Sequence, residues 1–520
     1  MERYFNSRIL NSRPTECLVD RAVARLTSDE VVIERCERPQ YPARPPFSPA
    51  AAYPEAPFGD VSDEPNYVFA GVRACFLRAG LDAHNCGTSD WNPLGEFIRP
   101  GETVVLKPNL IKEVHPRDEG GWEYMLTHGS VIRAVADFVV KALSGSGRII
   151  VADAPQTDSS FAGIVNVLGL DQLAAFYRER GIAFEIVDLR QEEWTVRDGV
   201  VVARQALAGD PRGNVAYDLR SSSEFVGHRG EGRYYGADYD SRAVNSHHTG
   251  GRHEYLVGRS VAQADVFINL PKLKTHKKAG ITVALKNLVG INGNKNWLPH
   301  HTEGPPLAGG DEHPDPGALH RVERWAAARL RALSLASPRL GPLIHRQARR
   351  VGRPVFGDTD DVVRSGNWWG NDTIWRMCLD LNKLLMYGEP DGSLRAPGPD
   401  GRRRYLALVD GVIAGEGRGP INPDPVEAGV LLFGLNPASI DAAAAILMGF
   451  DPDCIPIVQK AFEVRHLPLA EWPWTDVRVR SGVDEWHGRL ADISLGDCLT
   501  FRPHFAWEGH IERQPDRSHA

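Results

Sequence analysis

Six lysines, four asparagines and three histidines are concentrated between Leu270 and Gly304, a stretch called the lysine segment below. No acidic residue occurs between Asp265 and Glu303, although the whole chain has a formal net charge of −7. The segment follows the apolar run ADVFINL, which is typical of a buried strand. Open α/β sheets bind ligands just beyond the carboxyl ends of their strands. Ammonium groups and amides at that place favour a phosphate or carboxylate site over a solvated lysine-rich loop.

Other predicted strands also end in residues that could do chemistry. TVVLKPNL contains Lys107 and Asn109, GRIIVADAP contains Asp153, and RYLALVDGVI contains Asp410. Because the carboxyl ends of parallel strands share one edge, lysines from two strands can face carboxylates from two others. Such a set allows Mg²⁺–phosphate binding or proton transfer by a lysine of lowered pKa. Turn formation is the plainer alternative for the two aspartates, and Asp441 can act as a helix cap.

These patterns predict a site in three parts. The predicted catalytic residues are Lys107, Asp153 and Asp410. The predicted ligands of a Mg²⁺ ion are Asp153, Asp410 and Glu416. The predicted substrate-binding residues are Asn109, Lys272, Lys274, His276, Lys286, Asn287, Asn292 and Lys295.

A different metal site could be built on His300 and His301 with the acidic residues and histidine between Glu303 and His313. Adjacent histidines rarely point the same way, so the lysine segment remains the preferred site. The seven cysteines are widely spaced and include no C-x-x-C pair. We therefore expect neither a disulfide framework nor an iron–sulfur cluster.

Strand-like and helix-like patterns alternate from about residue 66 onward, which predicts an α/β fold with a mostly parallel, doubly wound sheet. No G-x-G-x-x-G or P-loop motif follows a strand. The predicted organisation is listed here by residue number: a proline-rich, irregular N-terminal arm (1–65), the first part of the core (66–315), an arginine-rich helical insertion (316–365), the second part of the core (366–470) and a C-terminal tail (471–520).

The arginine-rich insertion has nine arginines and one glutamate between Arg321 and Arg353. Such a helix could lie on an anionic membrane surface, although a solvated helix that covers the core is the commoner case. The acidic net charge argues against general nucleic-acid binding. Without a signal-peptide core or a long apolar run, the chain is expected to be cytoplasmic, with peripheral contact to the inner membrane as an alternative.

The pieces VVLKPNL, THGSVIRAVADFV and INLPKLKTHKKAGITVALKNLVGING resemble the family catalogued as domain of unknown function 362. VDGVIAGEGRGP and LNPASIDAAAAILMGF fit the same pattern, so the resemblance spans roughly residues 100–295 and 365–460. GNWWGNDTIWRMCLDLNKLL resembles a longer subgroup associated with bacterial surface-polysaccharide or secondary-metabolite genes. Many members carry a ferredoxin-like cysteine cluster, which this chain lacks.

Three functions follow as hypotheses. The first is a bacterial enzyme that acts on a small phosphorylated or carboxylated metabolite, for which the resemblance implies polysaccharide or secondary-metabolite biosynthesis. The second is a non-catalytic anion-binding or regulatory protein that uses the same residues. The third is a redox protein whose electron-transfer partner is a separate chain.

Overall fold

The computed structural model describes residues 24–197, 200–236, 240–314, 362–398 and 402–514. The arginine-rich insertion between Arg321 and Arg353 lies outside the described residues. The strands are β1 Glu30–Arg35, β2 Thr103–Pro108, β3 Arg148–Asp153, β4 Phe184–Asp188, β5 Glu192–Arg197, β6 Val200–Ala206, β7 Asn214–Asp218, β8 Tyr234–Tyr235, β9 Glu254–Gly258, β10 Val266–Leu270, β11 Lys272–His276, β12 Gly280–Thr282, β13 His301–Thr302, β14 Arg404–Glu416, β15 Asp424–Val426, β16 Val430–Gly434, β17 Arg478–Ser481 and β18 Gly488–Arg489.

The α-helices of the described residues are joined to these strands by loops and short 3₁₀ turns. They are α1 Tyr67–Arg78, α2 Gly129–Leu143, α3 Phe161–Val167, α4 Leu170–Glu179, α5 Ser241–His247, α6 Arg259–Ala262, α7 Ala284–Asn287, α8 Ile374–Tyr387, α9 Pro437–Leu447 and α10 Pro456–Ala461.

A large mixed sheet, in which parallel pairs predominate, forms the centre of the fold. Its main strand order is β18-β17-β1-β16-β14-β10-β2-β3-β4. Strand β10 is parallel to both β2 and β14, and β11 continues its path beside β14 with Lys272 opposite Asp410. The expected α/β fold is therefore confirmed, and the carboxyl ends of β2, β3 and β10 meet at one edge.

Both faces of this sheet are buried. Along β2, Val105 joins one hydrophobic cluster, whereas Val104 and Leu106 join the other. The first cluster includes residues of α8 and α9, and the second includes residues of α1 and α2. Successive side chains of a strand point to opposite faces, so near-continuous apolar runs such as VFINL are what a doubly covered sheet requires.

The structure differs from the sequence-based outline at the two ends of the chain. Glu30–Arg35, in the expected irregular arm, forms β1 between β17 and β16, and the expected tail supplies β17. A run of only three apolar residues within EVVIER is a weak local signal, and pairing with β16 supplies the remaining stabilisation. The pattern GIVNVLGLDQLAAFYRERG, from Gly163 to Gly181, predicts a single helix. The structure divides this stretch into α3 and α4, because Gly169 has a positive φ of 63°.

Candidate functional site

A buried ion pair links the lysine segment to β14. The Lys272 ammonium lies 3.2 Å from Oδ2 of Asp410, and both side chains are 0% exposed. The Tyr41 hydroxyl donates to Oδ1 of Asp410 over 2.6 Å and accepts a hydrogen bond of 2.6 Å from Lys272. The backbone N–H of His128, immediately before α2, donates to Oδ2 of Asp410 over 2.9 Å. Four segments of the chain therefore fix this pair.

A second ion pair joins β2 to β3. The Lys107 ammonium lies 2.8 Å from Oδ1 of Asp153, and both side chains are buried. The backbone N–H groups of Leu110 and Ala154 donate to the same carboxylate over 2.7 and 2.8 Å. A Cβ atom at Gly290 would lie only 1.8 Å from Oδ1 of Asp153. A residue without a side chain is therefore required where the lysine segment passes over this pair.

Lys274 lies beyond Lys272 on the same strand and contacts neutral acceptors. Its ammonium donates to Oδ1 of Asn109 over 2.9 Å and to the Met125 carbonyl over 2.6 Å. Asn109 in turn donates to Oδ1 of Asn287 over 2.9 Å, and Asn287 donates to Asn269 over 2.7 Å. Within the described ranges, no carboxylate forms an ion pair with Lys274. This chain of amides orients the lysine and leaves its charge uncompensated.

Lys286 projects from the short helix α7. The carboxylate of Asp441 accepts a hydrogen bond of 2.7 Å from Ala284 N at Oδ1 and one of 3.2 Å from Leu285 N at Oδ2. Asp441 therefore caps α7, although it lies inside α9 and does not cap its own helix. Lys286 is partly exposed, and its ammonium makes no hydrogen bond or ion pair with any described residue. Among the residues that the structure describes, Lys286 is therefore an amine at the surface of the site with no bonded partner.

Burial disfavours the charged form of each lysine in this group. Burial lowers the pKa of Lys107 and Lys272, while their carboxylate partners act in the opposite direction. Burial, together with the ammonium groups of Lys272 and Lys286, lowers the pKa of Lys274 well below its usual range. Burial also lowers the pKa of Lys286. An anion placed among these amines would favour their charged forms and would be held by them.

Three residues predicted to bind the substrate are instead hydrogen-bonded to the protein backbone. His276 is buried and accepts hydrogen bonds at Nδ1 from the backbone N–H groups of Lys278 and Ala279. Asn292 accepts from Leu256 N over 2.7 Å and donates to the Asn294 carbonyl, which joins the lysine segment to β9. Lys295 is also buried and donates to the Ala154 carbonyl over 2.6 Å. Asn292 and Lys295 therefore hold the segment in place.

The three carboxylates predicted to hold Mg²⁺ do not come together. Asp153 and Asp410 are separated by three inter-strand steps, which corresponds to roughly 14 Å, and each is bonded to a lysine. Glu416 accepts a hydrogen bond of 2.8 Å from Arg502 N. Within the described ranges, no three His, Cys, Asp or Glu side chains form a metal-ligand group, whether here or around His300 and His301. The geometry thus gives no support to these ligand sets.

Several residues of the site have no clear signal in the sequence. Tyr41 comes from the proline-rich arm, and its ring is stacked on that of His128 with centroids 4.1 Å apart. Glu123 is partly exposed beside Lys272 and Asp410, and burial raises its pKa. Tyr41 lies in the proline-rich run RPQYPARPP and Glu123 in GGWEYML, and neither pattern is specific enough to identify a site.

The comparisons with known proteins concern the same part of the chain. The model of the family described as domain of unknown function (DUF362) matches residues 228–446, which include the lysine segment and Asp410. The family resemblance expected from the sequence is thereby confirmed over these residues. Lys107 and Asp153 lie before the matched DUF362 range, so the structure extends the site to β2 and β3.

Two individual proteins are similar to this chain. A protein of Synechocystis sp. named as thylakoid-associated is 24% identical over 363 residues, covering 70% of this chain and 68% of the relative. A crystal structure of a Thermotoga maritima protein is 10% identical with a TM-score of 0.25. It covers 65% of this chain, which spans about half (53%) of that structure. Within the described ranges, every helix is too short or too polar to span a bilayer.

Proposed function

We propose that this protein is an enzyme that acts on a small phosphorylated or carboxylated metabolite at the lysine-rich edge of the sheet. The observation that carries the proposal is the contrast among four lysines. Lys107 and Lys272 each have a buried carboxylate partner, whereas Lys274 and Lys286 have none among the described residues. A bound anion would supply the missing counter-charge.

The contacts assign different roles to these lysines. Lys286 is partly exposed and unbonded, so it can reach a ligand that arrives from solvent. Lys274 is fixed by Asn109 and adds a second positive charge behind it. The Lys107–Asp153 and Lys272–Asp410 pairs fix the ends of β2, β3 and β11 around the site. In this proposal they act as positioning pairs, and none of them is required to bind a metal.

Isothermal titration calorimetry with pyrophosphate and with sulfate tests anion binding. We expect Lys286→Gln to weaken binding by about tenfold or more, since a charge-assisted hydrogen bond contributes about 1.5–3 kcal/mol. Lys460→Gln is the matched control, because Lys460 is a surface lysine whose contact is Glu463 within the same turn. Equal weakening by both variants would show a general charge effect, and undiminished binding to Lys286→Gln would overturn the proposal.

An experiment with the natural ligand distinguishes an enzyme from a protein that only binds the anion. Mass spectrometry of small molecules that co-purify with the native protein identifies candidates, and incubation of the isolated molecule with fresh protein then tests turnover. Chemical conversion that is lost in Lys286→Gln supports the enzyme. Binding without conversion would favour the alternative of a non-catalytic anion-binding protein.

We further propose a cytoplasmic location with peripheral attachment to an anionic membrane through the arginine-rich insertion. Its nine arginines would contribute about 1 kcal/mol each close to an anionic surface. The Synechocystis relative is named as thylakoid-associated, which agrees with a membrane-surface location. A role in polysaccharide or secondary-metabolite biosynthesis rests on the family resemblance and awaits identification of the substrate.

A further inference from the structure

Thr282 lies directly opposite Lys274 in the hairpin formed by β11 and β12. Residues that face each other across an antiparallel pair have Cβ atoms about 4.5–5.5 Å apart and project to the same face of the sheet. The register therefore places the hydroxyl of Thr282 beside the side chain of Lys274, the buried lysine that has no ion pair among the described residues.

The hydroxyl of Thr282 is buried. Thr282 is 3% exposed, and no residue that the structure describes forms a hydrogen bond with its Oγ1. Buried hydroxyls are normally hydrogen-bonded, because the loss of water without the gain of a partner is unfavourable. Thr275, on the paired strand, follows that rule and donates to the Gly417 carbonyl over 3.0 Å. The unbonded hydroxyl of Thr282 indicates that a molecule other than the protein bonds to it.

Within the described ranges, Lys274 also has an unused donor. An ammonium group has three N–H donors, and two are used by Oδ1 of Asn109 and the Met125 carbonyl over 2.9 and 2.6 Å. On the other side of Lys274, β14 places Gly415, where an added Cβ would lie 2.8 Å from a backbone carbonyl. The row Thr282–Lys274–Gly415 is therefore packed by protein at one end, and its unused donors lie toward the other.

We propose that Thr282 and Lys274 together bind the terminal anionic group of the ligand. The Thr282 hydroxyl and the third N–H of Lys274 each donate to an oxygen of that group, which also supplies a negative charge. Lys274 is 0% exposed, whereas Asn109, its hydrogen-bond partner, is partly exposed. A group that reaches both donors from solvent must therefore be the end of the ligand. The inference rests on the proposed function and narrows its substrate class to terminal phosphates, sulfates and carboxylates, as opposed to phosphodiesters.

Isothermal titration calorimetry with pyrophosphate tests the role of the hydroxyl. Thr282→Val replaces the hydroxyl by a methyl group of similar size, and we expect it to weaken binding by about tenfold or more, because the lost hydrogen bond has a charged acceptor. Thr282→Ser keeps the hydroxyl and should bind nearly as tightly as the parent. Equal binding by Thr282→Val and the parent, or equal losses in the valine and serine variants, would overturn the inference.

The restriction to terminal groups is tested with ethyl phosphate and diethyl phosphate. The ratio of parent affinity to Thr282→Val affinity compares each ligand with itself, so the difference in charge between monoester and diester cancels. We expect a ratio of about ten for ethyl phosphate and about one for diethyl phosphate, or no measurable binding of the diester. A ratio as large for the diester, or failure of the parent to bind ethyl phosphate, would overturn the restriction.

Thermal melts without ligand separate a ligand contact from a structural role. Thr282→Val should melt at or above the parent temperature, since it removes a buried hydroxyl that no described residue bonds. Thr275→Val is the matched control and should melt below the parent, since it loses the hydrogen bond to Gly417. An equal loss in both variants would reveal a structural partner of Thr282 and overturn the inference.

The two proposals fail in different ways. If the parent does not bind pyrophosphate, the proposed function fails, and this inference fails with it. If the parent binds pyrophosphate, Lys286→Gln weakens binding and Thr282→Val does not, the proposed function stands and this inference alone is refuted.

Discussion

Replacement of Lys272 by methionine should destabilise the protein strongly. The change removes the ammonium group and leaves the Asp410 carboxylate at a position where both side chains are 0% exposed. Tyr41 and the His128 N–H would still donate to the carboxylate, but no positive partner would remain. The sequence alone suggests an exposed edge where Lys272→Ala and Lys274→Ala leave the melting temperature unchanged. The structure corrects that expectation, because Lys272 and Lys274 are both 0% exposed.

The magnitude follows from the burial of the pair. Removal of one member of a buried ion pair typically costs about 3–5 kcal/mol, because the remaining charge has no compensation. A loss of 1 kcal/mol lowers the melting temperature of a 150–250-residue protein by about 2–4 °C, and by less in a longer chain. We therefore expect Lys272→Met to melt roughly 3–10 °C below the parent.

The assay compares thermal melts of four proteins at one pH. Lys286→Gln is the control, because this partly exposed lysine has no ion pair among the described residues and its loss should change stability by about 0.5 kcal/mol at most. The double variant Lys272→Met/Asp410→Asn should recover part of the loss, since asparagine keeps an acceptor for Tyr41 and His128 without a charge. If Lys272→Met melted within about 1 °C of the parent, which corresponds to a loss of stability of about 0.5 kcal/mol, the reasoning would be refuted.

Three further predictions concern neighbouring parts of the structure. Gly290→Ala should separate Lys107 from Asp153 and lower the free energy of unfolding by about 1–3 kcal/mol. Gly59→Ala is the control that should not do so, because no atom lies within 4 Å of its added Cβ. Similar denaturation midpoints for the two variants would contradict this prediction. The affinity for sulfate should fall as the pH rises through 7, because burial lowers the pKa of Lys278 to about 7 and only its ammonium form, present below that pH, attracts an anion. Calorimetry should show a flatter dependence of affinity on pH for Lys278→Met. An unchanged dependence would show that Lys278 does not contribute to sulfate binding. The intact protein should co-sediment with anionic vesicles more than with neutral ones and detach as salt increases; equal binding to both, or none at low salt, would remove the membrane proposal.

The sequence by itself determined the local elements and the chemical character of the site. The apolar runs in TVVLKP, RIIVAD and VFINL are long enough to require strands buried on both faces, and they form β2, β3 and β10. The alternation of Lys272, Lys274 and His276 placed three polar side chains on one side of a strand. These features are readable because they depend on residues close together in the chain.

Only the tertiary structure decided which charges are paired. Lys272 and Asp410 are 138 residues apart, and Tyr41 reaches the same carboxylate from 369 residues away. Their contact depends on the order of β14, β10 and β2 in the sheet, which is set by the packing of both apolar faces and by the pairing of β1 with β16 and β17. No local pattern encodes that order. The same packing buries Lys272 and Lys274 and leaves Lys286 without a partner among the described residues. The buried lysines therefore position the site, whereas Lys286 is able to bind a ligand that arrives from solvent.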